Sequence, residues 1–238
     1  ETARLFVLKG WFVGAFDIND TALASLAAEL GPDACCWQKL DVTCVDSFKS
    51  AVELFTSRTQ RTMDVLFNCA GVTFNGRFSE IPLTKLQQII RINVEGTLIG
   101  THVSLPILSN TPGSHIINMS SASAVYGVPE MATYSASKAA IRGLTEALNL
   151  ELEDMGIAVS DIMPSFVNTP MVTEQAREVG SVRRLGVRLT AEQVATEVWR
   201  AAHGSKVHWI PEWRIWLTNA ITRCSPALQR AAMKQISG

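Results

Sequence analysis

Tyr134 and Lys138 stand four positions apart at the start of a long segment with helical periodicity. Residues i and i+4 of a helix share a face, with Cβ atoms roughly 5–6 Å apart. A phenol and an ammonium so placed can occupy one small volume, where the cation makes the phenol more acidic. An unperturbed tyrosine has a pKa of about 10. Proton exchange with an alcohol near neutral pH calls for a drop of about 3 units, or about 4 kcal/mol of differential stabilisation. A neighbouring cation in a partly desolvated site supplies much of that. The serine pair Ser120-Ser121 closes the apolar run just before this segment. Taken alone, Tyr134 and Lys138 also describe a half-buried tyrosine beside a solvated lysine.

The elements that must position these side chains alternate along the chain. Short apolar runs at 11–18, 36–40, 65–69, 115–120, 158–163 and 207–210 predict strands. Between them, 21–30, 45–59, 84–108, 133–155 and 191–203 predict helices. The strand runs are continuously apolar, as in sheets covered on both faces. Strand–helix alternation throughout predicts an α/β fold with a Rossmann-like, doubly wound parallel sheet. No repeat or linker interrupts it, so residues 1–238 form one expected domain, with 212–238 as a C-terminal tail.

Composition excludes several function classes. A net charge of −1 gives no basic excess to attract nucleic acid or anionic lipid. The five cysteines form no CxxC and fit no zinc spacing, so no metal is expected. Their odd number suggests reduced thiols and a cytoplasmic setting. No run of about 18 apolar residues predicts a membrane-spanning helix, and no signal peptide is visible.

Open α/β sheets bind ligands beyond the carboxyl ends of their strands. The groups at those ends are Asp17, Asp41, Asn68-Cys-Ala-Gly71, Ser120-Ser121 and Pro164-Ser165. Each alone could be a turn residue or a helix cap; together they mark one edge of a sheet.

Several motifs then agree in order and spacing: Asn68-Cys-Ala-Gly71, Arg91-Ile-Asn-Val-Glu-Gly96, Ile117-Asn-Met-Ser-Ser121, Tyr134-Ser-Ala-Ser-Lys138 and Pro164-Ser-Phe-Val-Asn-Thr-Pro-Met171. With them the chain, from residue 1 to about residue 210, resembles the short-chain dehydrogenase/reductase family. The match includes that family's interval of 13 residues from serine to tyrosine. The resemblance implies hydride transfer between a nicotinamide and a carbonyl or secondary alcohol of a small molecule. Tyr134 would be general acid and base, and Lys138 would lower its pKa and hold the nicotinamide ribose. Ser121 would bind the carbonyl oxygen, and Asn93 would keep a water in the proton relay. Asn93 could instead be a helix-interior asparagine bonded to its own backbone. Ser120 is expected to face away from the chemistry, since neighbours on a strand point to opposite faces.

For the cofactor, Asp17 closes the second strand of the resemblance, where an acidic group accepts hydrogen bonds from the adenosine ribose. A 2′-phosphate there would cost roughly 4 kcal/mol at 4 Å and an effective dielectric of 20. Ile18, not an arginine, follows, so NAD is expected rather than NADP. Asp17 could also cap the next helix. The resemblance further assigns Asp41 and Val42 to the adenine, Asn68, Ala70 and Gly71 to the cofactor-binding turn after the family's fourth strand, Val167 and Thr169 to the nicotinamide carboxamide, and Pro164 to the same cofactor-contacting segment. Tyr134 and Lys138 touch both cofactor and substrate. Ser165 departs from the family pattern, which has glycine.

The glycine-rich fingerprint is not found. Gly10-Trp-Phe-Val-Gly14 runs into a strand, whereas the fingerprint lies between strand and helix, and Phe16 stands where its third glycine belongs. The chain is expected to begin inside the first helix, at 2–8, as an N-terminally truncated form. The central strand of the resemblance would then be missing, leaving a gap about two strand spacings wide, roughly 9–10 Å.

Two segments stay open. Trp213, Trp216, Leu217, Ala220, Ile221 and Cys224 form a stripe at helical spacing in a tail that is cationic after Glu212. It suits a membrane surface, or packing over the substrate cleft or against another subunit of a homodimer or homotetramer. The stretch 172–189 matches the family's variable lid; its Arg177, Arg183, Arg184 and Arg188 meet either an anionic substrate or solvent. Val125 and Tyr126 hint at an apolar substrate. Rival readings are a catalytically silent dinucleotide-binding or scaffold protein, and the sugar-nucleotide epimerase or dehydratase branch, which wants a larger C-terminal domain.

Overall fold

Each short apolar run becomes a parallel strand, and the amphipathic segment that follows becomes a helix that covers it. The computed structural model describes residues 1–169, 186–187 and 189–212. In chain order the elements are α1 (Thr2–Leu8), β1 (Val13–Asp17), α2 (Asp20–Leu30), β2 (Cys35–Lys39), α3 (Val45–Arg58), β3 (Val65–Asn68) and α4 (Leu83–Ile90). Then come α5 (Gly96–Leu108), β4 (His115–Met119), α6 (Ala132–Glu151), β5 (Ala158–Ile162), α7 (Ala191–Ala202) and β6 (His208–Trp209). A π-helical turn, Arg91–Glu95, joins α4 to α5, and 3-10 turns follow β4 (Ala122–Ala124) and α6 (Glu153–Met155).

All strand pairs are parallel. β1 pairs with β2, and β3, β4, β5 and β6 form a second sheet in that order. Among the described residues the gap expected beside the second strand of the resemblance is seen: β1 and β3 are both edge strands there, and a cavity of about 430 Å³ lies between them. Val13, Ala15, Val65 and Phe67 line its walls, so its sides are apolar side chains and unladdered backbone.

Period-two alternation on β4 and β5 divides the core. Ile116 and Val159 face α3, α5 and α6, in a cluster with Phe48, Leu108 and Leu152. Ile117 and Ile162 face the other way, onto Phe6 of α1 and Val194, Val198 and Ala201 of α7. A smaller cluster of Ala15, Leu23 and Cys35 holds α2 on β1 and β2. α5 lies so close to β3 that a Cβ on Gly100 would stand 2.6 Å from Asn68 Oδ1. A glycine is required at that crossing. α7 begins on a capping box: the Gln193 N–H donates to Thr190 Oγ1 and the Thr190 N–H to Gln193 Oε1.

On the α7 side, His115 is buried with Nε2 2.9 Å from Ser160 Oγ. Burial pushes its pKa down to about 4, so it stays neutral. The unfolded chain therefore binds the extra proton first as pH falls below about 6.5, and stability drops between there and about 4. At pH 5 this one group is expected to cost about 2 kcal/mol relative to pH 7. Urea unfolding at the two pH values should show the loss in the natural protein and a smaller one in His115→Gln. An equal loss in both would assign the acid sensitivity elsewhere.

Candidate active site

α6 presents Tyr134 and Lys138 on one face, beside the carboxyl end of β4. Lys138 is 3% exposed, and its Nζ donates to Met119 O at 2.7 Å while sitting over the Tyr134 ring, 5.6 Å from the centroid. The Ser121 hydroxyl lies close enough to the Tyr134 phenol to pull its pKa down. The Ser123 N–H donates to Ser121 Oγ at 3.2 Å. That contact fills an acceptor position on Ser121 and leaves its own proton for another oxygen. Tyr134, Lys138 and Ser121 thus meet as their types and spacing require.

The expected acidification of Tyr134 is not found. Burial pushes the phenol up to about 12, against the pull of the Ser121 hydrogen bond. Burial likewise pushes Lys138 down to about 8. The ammonium lies over the ring and gives a proton to a backbone carbonyl, and desolvation is the leading effect on both groups.

Asn93 lies in the π-helical turn between α4 and α5, a local widening common at functional sites. Its side chain neither caps its own helix nor bonds its own backbone. Oδ1 accepts from the Val72 N–H at 2.8 Å, and Nδ2 donates to Val72 O and to Ser137 Oγ, both at 3.0 Å. Ser137 Oγ in turn donates to Tyr134 O at 2.7 Å. One buried amide therefore ties the loop after β3 to the first turns of α6. Ser120, expected to turn away, does face elsewhere, but to a purpose: its Oγ donates to Lys138 O at 3.2 Å. A further polar ladder crosses the sheet: Asn68 Nδ2 donates to Asn118 Oδ1 at 2.9 Å, and Asn118 Nδ2 to Thr145 Oγ1 at 3.0 Å. The structural roles of Ser120, Ser137, Asn118 and Thr145 were not foreseen, because a buried polar side chain carries no periodic signal of its own. The one hint was the density of hydroxyls around Tyr134.

The residues expected to hold a dinucleotide fall in two groups. Asp17, Val42, Asn68, Ala70 and Gly71 share the lining of the cavity between the sheets. Gly71 closes toward the chemistry: a Cβ there would lie 3.3 Å from Asn93 Oδ1 and 3.6 Å from Lys138 Nζ. A small residue there leaves a cradle open beside the ammonium. Pro164, Val167 and Thr169 form the second group, after β5. Pro164 O accepts from the Ala122 N–H at 2.9 Å, and Val167 bridges to Leu189. That segment is thus held against the turn that follows Ser121.

Asp17 Oδ1 accepts from the Asn19 N–H at 2.9 Å, but the cap of α2 is Asn19, whose Oδ1 accepts from the Ala22 N–H at 3.0 Å. The alternative role for Asp17 as helix cap is thereby corrected. Ile18 is exposed beside it. Asp41 is engaged locally: one oxygen takes both the Thr43 N–H at 2.9 Å and its hydroxyl at 2.8 Å, which hold the carboxyl below its usual range. Val128, Met131 and Phe166 pack with Tyr134 as an apolar wall, and Val125 and Tyr126 lie half-buried nearby in sequence. The lid arginines Arg177, Arg183, Arg184 and Arg188, and the tail residues Trp213 and Trp216, lie outside the described residues.

Among the described residues no helix is long and apolar enough to cross a membrane, and Cys35, Cys36, Cys44 and Cys69 are free thiols. A family model described as short chain dehydrogenase matches residues 1–180. Momilactone A synthase of Oryza sativa subsp. japonica is 38% identical over 173 residues, covering 71% of this chain and 62% of its own length. A 3-oxoacyl-acyl-carrier-protein reductase of Thermotoga maritima is 33% identical over 187 residues, covering 76% of each chain. In fold, a short chain dehydrogenase/reductase from Burkholderia phymatum, solved in complex with NAD, superposes with a TM-score of 0.85 at 23% identity. That superposition covers 96% of this chain and 89% of the other.

Proposed function

The chain belongs to the short chain dehydrogenase family, and on that premise we propose that it is a nicotinamide-dependent oxidoreductase of secondary alcohols and ketones. The observation that carries this reading is the shared volume of the Tyr134 phenol, the Ser121 hydroxyl and the Lys138 ammonium at the carboxyl edge of the sheet. A bound nicotinamide supplies or accepts the hydride. Ser121 donates its free proton to the substrate oxygen and holds the charge that builds there. Tyr134 gives the proton that completes the alcohol, and with its pKa pushed up to about 12 it carries that proton throughout the neutral range. Lys138 holds positive charge beneath the phenol, and Asn93 keeps α6 in place against the loop that follows β3.

Asp17 and its neighbours fit the adenosine end, since Asp17 lines the same cavity as Val42, Ala70 and Gly71. We assign NAD on the strength of that charge. Val128, Met131 and Phe166 around Tyr134 favour an apolar substrate of moderate size. The four free thiols among the described residues fit a reducing, cytoplasmic setting.

The test is turnover of the purified protein over a panel of apolar ketones and secondary alcohols, followed by nicotinamide absorbance. Turnover with NADH and little with NADPH is expected. Asp17→Ala should weaken NAD binding about tenfold or more, the loss of a charge-assisted hydrogen bond. It should leave NADP binding equal or better. Unchanged discrimination in Asp17→Ala would remove the carboxylate from the adenosine site.

A further inference from the structure

His208 of β6 stands between two carboxylates. Its Nδ1 is 2.9 Å from Asp161 Oδ1 on β5, and its Nε2 is 3.1 Å from Glu146 Oε1 on α6. An ionised carboxylate only accepts hydrogen bonds. Both contacts therefore hold only when the Asp161–His208 pair carries one proton beyond neutral imidazole, whichever of the two keeps it. Asp161 is 0% exposed, and its Oδ2 has no hydrogen-bond partner. A carboxylate buried so completely depends on the adjacent cation for compensation. Glu146 is half exposed and also takes Arg142 Nε at 2.8 Å.

The placement links this cluster to the chemistry. Arg142 and Glu146 follow Lys138 by four and eight residues on α6, one and two turns further along the same face. Asp161 lies three residues before Pro164, at the root of the segment that runs past Ser121. We propose that His208 is a positioning residue: the Asp161–His208–Glu146 brace, closed while it holds its extra proton, pins α6 to β5 and β6. It thereby sets Tyr134 and Lys138 against the segment 164–169. As the proton leaves, the brace opens on its Glu146 side. The link to turnover rests on Tyr134 and Lys138 being the reacting pair; the titration and the opening do not.

The side that opens follows from burial. Asp161 cannot reach water, so the one remaining N–H stays with it. Nε2 then turns a lone pair toward Glu146, which has Arg142 and solvent as alternatives. The charged groups acting on His208 are Asp161, Arg142 and Glu146. Asn118, in register with Asp161 on β4, is neutral and engaged with Thr145. Lys206 is directed onto the Trp209 ring, 5.2 Å from its centroid. α7 packs on the opposite face of β5, against Ile162. The Asp161 hydrogen bond raises the His208 pKa above its ordinary value. The brace is accordingly closed below pH about 6.5 and is lost as pH rises through the raised value.

The chain has four histidines, so imidazole NMR of the whole protein resolves His208, with His208→Asn as the assignment. Its titration should lie above about 6.5. Across the same interval, the Asp161 and Met163 amides, which donate to Val207 O and Trp209 O at 2.8 Å, should exchange about tenfold faster after correction for intrinsic rates. kcat should fall about threefold to tenfold through the same step. In Glu146→Gln the side-chain amide both donates and accepts, so the contact survives either protonation state. His208 should still titrate while the steps in exchange and kcat flatten. His208→Asn keeps only the Asp161 contact and should show fast exchange and low kcat at every pH, with no step. Titration at or below the ordinary value, or a full step retained in Glu146→Gln, overturns the brace. An absence of turnover at every pH would count against the redox reading, while titration and exchange judge the brace separately.

Discussion

Tyr134→Phe is expected to lower kcat by about a hundredfold to ten-thousandfold, the range carried by a positioned proton donor, while the nicotinamide cofactor binds as before. The Tyr134 side chain packs with Val128, Met131 and Phe166, and its phenol lies beside the Ser121 hydroxyl. Losing its oxygen therefore removes a proton without removing the wall that holds the ring. Because burial pushes that phenol up to about 12, ketone reduction should show no fall from phenol ionisation between pH 6 and 9. Stopped-flow reduction rates and cofactor titration on the same preparation check both halves. A variant that keeps more than a tenth of kcat means another group delivers the proton. A dinucleotide-binding scaffold of this fold would not distinguish phenylalanine from tyrosine here in any of its functions, so the same substitution separates the two classes.

Lys138→Met is expected to abolish most turnover and yet to cost little stability. The ammonium is 3% exposed, and burial pushes its pKa down to about 8. Between about 8 and 10.5 the unfolded chain binds the proton that the folded chain has released, so stability rises with pH through that window. Below it, holding the buried cation costs about 3 kcal/mol. Methionine removes that cost but leaves Met119 O without its donor, a penalty of about 1–3 kcal/mol. The two nearly offset. Denaturant midpoints at pH 7 and pH 10 should therefore differ in the natural protein and agree more closely in the variant, while cofactor affinity falls roughly tenfold to a hundredfold. A large loss of stability with turnover intact would make Lys138 a structural residue.

Much of the scaffold was legible because the strands are covered on both faces and so are written as mainly apolar runs, broken in β4 and β5 by His115, Asn118, Ser160 and Asp161. The runs at 65–69, 115–120 and 158–163 became β3, β4 and β5, each with one end trimmed by a single residue. The stretch 84–108, expected as one helix, contains the π-helical turn at Arg91–Glu95. Such a turn shifts hydrogen-bond partners without disturbing the apolar pattern, so periodicity is blind to it. Asn93 was singled out from its motif, but its partners Val72 and Ser137 lie 21 and 44 residues away and are set by tertiary packing alone. The sign of the Tyr134 shift was misjudged for a related reason. Spacing on a helix says that an ammonium is near, not whether water is excluded, and here exclusion of water is the larger effect. His208 had no mark at all, because its two carboxylates come from elements 47 and 62 residues away.

The separation of β1–β2 from β3–β4–β5–β6 has a consequence for energetics. Among the described residues, the half bearing Asp17 and the half bearing Tyr134 share helix packing but no hydrogen-bonded ladder. On the proposed function, a dinucleotide stretched from one half to the other would act as a cross-strut.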